Sequence, residues 1–147
     1  MQMLLTLLAL IAPAHAIVDL RLTGAGGVCD NGGAGRIGLD GEVWLGKHLG
    51  IGARGAVGLD AGSGMFVFGP ELPIRIIGGK TFAWVAEPNL GIASIPDLNP
   101  NALLDVGVFT GLQAKLLVFS LSGGGRVETY GFQESAATLE IGVGIGL

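Results

Sequence analysis

Bulky apolar residues occupy every second position over most of this chain. Leu139, Ile141, Val143, Ile145 and Leu147 alternate with Thr138, Glu140, Gly142, Gly144 and Gly146. Leu49, Ile51, Ala53, Val57 and Leu59 alternate with Gly50, Gly52, Arg54, Ala56 and Gly58. The same beat runs through Ile37, Leu39, Val43 and Leu45, through Phe66, Phe68, Leu72, Ile74 and Ile76, and through Leu104, Val106, Val108 and Leu112. Successive side chains of a strand leave on opposite faces, so a period of two writes strands with one greasy face. The other face is unusual. It carries glycine, alanine and charge, and 28 of the 147 residues are glycine.

Turn signals cut the pattern into equal pieces. One set is centred near 47 (Gly46-Lys47-His48), 79 (Gly78-Gly79-Lys80) and 115 (Lys115). A second set lies between them: Gly26 to Gly35, Asp60 to Gly64, Pro96 to Asn101 and Gly131 to Ala136. The turn near Lys115 lacks Gly, Asn and Pro; it is inferred from spacing and from a switch of apolar parity, even before it and odd after it (Phe119, Leu121, Val127). Four hairpins of similar length give eight strands of roughly 10 to 13 residues, against the roughly 9–11 that a tilted strand needs to cross a bilayer.

Residues 3–12 are an apolar run too short to span a bilayer as a helix, and Pro13-Ala14-His15-Ala16 follows with small residues placed for cleavage. Residues 1–16 are therefore expected to be a signal peptide and 17–147 a single barrel domain. The net charge of −4 gives no basic footprint for nucleic acid, and one cysteine makes neither a disulfide scaffold nor a thiolate zinc site.

Two barrels share this alternation, a membrane one with the greasy face outward and a soluble one with it inward. The membrane reading is favoured because an eight-stranded interior is just wide enough for its own side chains, while bulky residues line every strand. Asp19, Arg21, Arg36, Asp40, Glu42, Arg54, Glu71, Arg75, Glu87, Asp105, Arg126, Glu128 and Glu140 share the inward parity. Of these, Arg36, Asp40, Glu42, Arg54, Glu71, Arg75, Glu87, Arg126, Glu128 and Glu140 are expected to form a lumen ion-pair cluster. Aromatics near the strand ends form two bands, Phe66, Phe68, Tyr130 and Phe132 at one end and Trp44, Phe82, Trp84 and Phe119 at the other. The expected fold is an all-β, closed, eight-stranded antiparallel up-and-down transmembrane β-barrel with a filled polar lumen. Closure follows from lipid, which leaves no backbone polar group a partner outside the protein; the last strand must meet the first around Val18, Leu20 and Leu22.

The segment from Glu140 to Leu147 resembles the barrel-assembly signal of the small eight-stranded outer-membrane β-barrel proteins of Gram-negative bacteria. It has the polar Glu140, then Gly142, then hydrophobic Ile145 and Leu147, with Leu147 where an aromatic is usual. The resemblance covers the mature chain through its pattern. It implies an outer-membrane location, outer-membrane lipid, lipopolysaccharide and the barrel-assembly machinery as partners, and a monomer. It also implies a periplasmic rim at Lys47, Lys80 and Lys115, and an outer rim at Cys29, Asp60, Pro96 to Pro100 and Glu134.

Candidate chemistry is sparse. Gly50-x-Gly52-x-x-Gly55 matches a dinucleotide fingerprint in letters but lacks the helix that motif opens. His48 reads as a turn residue, and the His/Ser/Glu set of the family's lipid-A deacylases is absent. A hairpin centred on Gly79 would oppose Glu71 to Glu87 and Pro70 to Pro88, a carboxylate pair beside a lateral gap such as the family's lipid-A palmitoyltransferase uses to admit lipid. The competing reading is a bulge near Gly69-Pro70, with ordinary ion pairs for both glutamates. Cys29 reads as an incidental thiol. The expected function is that of a structural outer-membrane barrel without an open pore and with at most a minor surface-interaction role; no cofactor, metal or catalytic residue is expected. The alternatives are a barrel-embedded lipid-modifying enzyme or lipid-access barrel using Glu71 and Glu87, and a soluble periplasmic barrel that binds a lipophile.

Overall fold

The structure, a computed structural model, describes residues 18–30, 32–60, 64–79, 82–94, 102–132 and 134–147, and among these not the side chains of 60, 64–70 and 79. The expected signal peptide and mature start, Lys80, residues 96–100 and the side chains of Asp60, Phe66, Phe68 and Pro70 lie outside what is described.

Eight strands run in chain order: β1 (Val18–Cys29), β2 (Gly32–Trp44), β3 (Leu49–Asp60), β4 (Gly64–Gly79), β5 (Phe82–Ser94), β6 (Ala102–Leu116), β7 (Phe119–Tyr130) and β8 (Glu134–Gly146). Each pairs antiparallel with its neighbour, and β8 returns to β1 to close the barrel. Leu20 faces Ile145 and Leu22 faces Val143 in that last seam. The amide of Leu147 donates to the carbonyl of Val18 at 2.8 Å.

The greasy face points out. Leu39 is 63 % exposed, Leu139 76 % and Ile141 67 %, whereas Glu71, Glu87 and Asp105 have no exposure at all. This arrangement sets aside the soluble barrel, whose lipophile would need an apolar interior.

Several expectations need correction. Trp44 and Tyr130 do not belong to outer aromatic bands; they are 3 % and 4 % exposed and point inward. Phe82, Trp84, Phe119 and Phe132 do face outward. The third turn is centred on Leu117-Val118, with Leu116 facing Phe119, and Lys115 lies within β6 opposite Ser120. Leu117 takes φ 55° in this tight hairpin, a conformation costly for a branched residue and invisible in composition. The odd pair sum across this turn produces the parity switch.

The β4–β5 hairpin is also shifted. Gly79 faces Ala83 and Gly78 faces Trp84, two residues beyond the expected centre. Ile76 consequently faces Ala86 rather than Phe82, and Pro88 faces Val108 across the β5–β6 seam. A slip by an even number keeps every side chain on its face, so the parity survives while the opposed pairs do not. Both ladders of β4 change register at Gly69-Pro70: Arg54 faces Glu71 but Ala56 faces Phe68, and Leu72 faces Leu90 but Phe68 faces Ala93. One extra residue on β4 makes this a β-bulge, as the competing reading had it.

A charged lumen between two apolar plugs

Each inward side chain reaches across a barrel too narrow for two long residues in one row, and glycine supplies the space. A Cβ on Gly91 would lie 2.6 Å from Cγ of Glu71, one on Gly107 2.6 Å from Cγ of Glu128, and one on Gly52 2.8 Å from Cγ of Glu42. The glycines are thus the sockets into which the charged side chains fold.

The lumen has three layers. At the end holding the first turn set, Trp44, Ile77, Ala83, Val85 and Phe109 form an apolar plug. Its rim is tied by Asp19, which accepts from Nε1 of Trp44 at 3.0 Å and lies 3.7 Å from Nζ of Lys115. Lys115 also sits 5.2 Å from the Trp44 ring centre. At the opposite end Ala56, Ala93, Leu103, Tyr130 and Ala136 form a second plug, with Cys29 packed against it.

Between the plugs lies an ionic network that contains all five arginines of the chain. Glu87 is its hub. It accepts from Arg21 at 2.6 Å, Arg75 at 3.2 Å and Arg126 at 2.9 Å, and also from Arg54. Asp40 takes Arg21 at 2.5 Å and Arg54 at 3.0 Å. Glu42 lies 3.3 Å from Arg21 and 3.7 Å from Arg75. Arg126 binds Glu140 at 2.5 Å and Asn89 at 3.0 Å, and stacks 5.6 Å from the Phe109 ring centre. Arg36 grips both oxygens of Glu71 at 2.8 Å and also donates to Glu128. Tyr130 donates its hydroxyl proton to Glu128 at 3.0 Å.

All ten residues named for the ion-pair cluster are therefore buried and joined in the lumen. Arg21, Asn89, Gln113 and Tyr130 belong to the same network but were not among them. Arg21 already stands in the inward set read from parity, and Asn89 and Gln113 carry the same parity; Tyr130 faces inward rather than into the expected rim band.

The expected opposition of Glu71 and Glu87 is replaced by a different arrangement. Glu71 folds against Gly91, and the two glutamates answer to different arginines, with Arg54 reaching both. Pro70 and Pro88 are not opposed, so the proline-flanked gap does not form between them. Wrapped by four guanidiniums and cut off from solvent, Glu87 is a poor general base, since a base must reach the proton it abstracts.

His48 serves the turn. Its Nδ1–H donates to the carbonyl of Ile77 at 2.8 Å, and the amide of Ile77 donates back to His48 at 2.9 Å. Gly50, Gly52 and Gly55 lie on extended β3 with no helix after them. Cys29 directs Sγ to the carbonyl of Gly32 at 3.5 Å. Of the residues expected to form an assembly signal, Glu140 binds Arg126, Gly142 leaves room beside Arg21, Ile145 pairs with Leu20 in the closing seam and Leu147 meets Val18.

No family model and no curated protein sequence matches the chain. Solved structures do. Neisserial surface protein A has a TM-score of 0.70 at 12 % identity, over 92 % of this chain and 100 % of its own. The outer membrane enzyme PagL has 0.60 at 13 %, over 86 % and 99 %. A de novo designed transmembrane β-barrel has 0.54 at 8 %, over 88 % and 95 %. The likeness is one of fold, and the chain has the closed architecture of the small eight-stranded outer-membrane β-barrels.

Proposed function

We propose that this chain is a structural outer-membrane β-barrel without an open pore. The observation that carries the reading is the pairing of a greasy exterior with an ionic interior sealed at both ends by side chains. A continuous water path would have to displace both plugs and the guanidinium–carboxylate lattice between them. An exterior of leucine, isoleucine and valine is stable only against acyl chains or a partner of equal apolarity.

Outer-membrane lipid and lipopolysaccharide are the partners this surface fits, with the barrel-assembly machinery to deliver the chain as a monomer. A groove of about 690 Å³ on the outer wall adds to the lipid reading. Its floor is Gly24, Gly26 and Gly35, and its walls are Ile37, Val57, Leu59, Leu139 and Ile141. That shape matches a lipid tail lying along the barrel and supports a minor surface-interaction role.

Membrane fractionation together with heat-dependent migration on a detergent gel tests the proposal. The chain should sediment with membranes, migrate faster unboiled than boiled, and pass no ions in a planar bilayer. Recovery in the aqueous phase without detergent, or steady channel currents, would overturn it.

A further inference from the structure

The buried charges do not balance, and one carboxylate is left without a cationic partner. Among the described residues eight carboxylates are buried in the lumen (Asp19, Asp40, Glu42, Glu71, Glu87, Asp105, Glu128 and Glu140) against five guanidiniums. Seven of the eight have a cationic partner within 4.0 Å. Asp105 is the exception. It has no solvent exposure, and neither of its oxygens has a hydrogen-bond partner. An isolated buried carboxylate is too costly to keep without a counter-charge.

Asp105 is aimed at two more carboxylates. Oxygens of Glu71, Asp105 and Glu128 all lie within 4.8 Å of one another. The sequence holds this space open. Gly91, which faces Asp105 across the β5–β6 seam, has no side chain to block the approach from Glu71. A proton on Asp105 can be shared with an oxygen of Glu71 or Glu128, but it neutralises only one of the three carboxylates, whereas a hard cation answers all three at once. Oxygens bound to calcium at about 2.3–2.6 Å can stand up to about 5 Å apart across the ion, which spans the observed separation.

A second acidic trio, Asp40, Glu42 and Glu87, has similar spacing. It is already answered by Arg21, Arg54 and Arg75. The Glu71 trio has Arg36 shared between two of its members, with Arg54 and Arg126 at longer range.

We propose that Glu71, Asp105 and Glu128 bind a divalent, oxygen-seeking cation of the calcium class inside the barrel, taken up as the barrel closes. Asp105 is the ligand with no other partner, and Tyr130 holds Glu128 in place. The ion would be structural, locking β4, β6 and β7 together from within.

The test refolds the full chain from urea into neutral-detergent micelles with Ca²⁺ or with EDTA, and follows the folded fraction by heat-dependent migration. Ca²⁺ should raise the urea midpoint of the wild type, and Asp105→Asn and Glu71→Gln should each abolish the rise. Tb³⁺ gives a second readout. Its emission, sensitised by Tyr130 as the chain's one tyrosine, should appear in the wild type, fall on adding Ca²⁺, and be lost in Asp105→Asn. A wild-type midpoint indifferent to Ca²⁺ overturns the proposal without recourse to any variant. So does an equal rise in both variants, which would put the ion elsewhere.

Discussion

Four guanidiniums converge on Glu87, and every one of them is itself buried. Substitution Glu87→Gln keeps the shape and deletes the charge on which Arg21, Arg54, Arg75 and Arg126 lean. Breaking a buried ionic pair by removing one partner typically costs about 3–5 kcal/mol, because the remaining charge is left uncompensated. A loss of at least this size is expected in urea unfolding of the micelle-embedded barrel, since several cations are stranded together. An unchanged midpoint would show that the network is ornamental. Arg75 keeps Gln113 at 2.9 Å and Arg126 keeps Glu140, so they should be buffered better than Arg54, whose other carboxylates, Asp40 and Glu71, are both shared with further arginines. The inward position of each of these residues was legible from parity. Which carboxylate meets which guanidinium was not, because long side chains cross the lumen between strands that are not neighbours: Arg21 on β1 meets Glu87 on β5, and Arg36 on β2 meets Glu128 on β7.

Strand β4 is the element whose ladders are most interrupted. Its bulge at Gly69-Pro70 interrupts both of its ladders. The β3–β4 ladder also lacks paired residues between Ile51↔Ile74 and Arg54↔Glu71, beside Pro73. The β4–β5 ladder lacks them between Pro73↔Asn89 and Ile76↔Ala86, beside Pro88. A proline contributes no N–H to a ladder. The β6–β7 ladder, by contrast, is continuous from Asp105↔Tyr130 to Leu116↔Phe119. Amide hydrogen exchange in micelles should therefore be faster in the middle of β4 than at matching depth in β6 and β7, following local opening rather than global unfolding. Uniform protection across the three strands would refute this. The prolines were visible in the sequence, and so was the choice between a gap and a bulge. The shift of the hairpin was hidden, because Gly78-Gly79-Lys80 offers turn residues on either side of the true centre. The Leu117-Val118 turn was hidden for the opposite reason, having no turn residue at all. Trp44 and Tyr130 were misread through a preference of aromatic residues for membrane rims, although their positions carry the inward parity of Glu42 and Glu128.

Closure is a property of the whole molecule, and it places an unusual demand on the last strand. β8 supplies the partners of two strands at once: Glu140 to Ile145 face Ala25 to Leu20 on β1 and Gly124 to Phe119 on β7. Ending the chain after Leu139 would leave two long edges with unpaired amides and carbonyls, each costing several kcal/mol where no water can reach. The same cut removes Glu140 and strips Arg126 of its shortest ion pair. This truncated chain should show no heat-dependent change of migration and should collect as aggregate after dilution from urea. Deleting Leu147 alone removes only the rung to Val18, and refolding in micelles should survive it. If the long truncation also refolds, closure is not what holds the barrel. The two outcomes together separate the physical role of the strand from the assembly-signal role that the resemblance implies. The signal that the resemblance implies concerns delivery in a cell, whereas closure must hold in detergent with no machinery present. A wall built this way explains why the interior can be so heavily charged. A ring with no free edge fixes the positions of all eight strands, and only fixed strands can keep guanidiniums and carboxylates within pairing distance in a centre cut off from water.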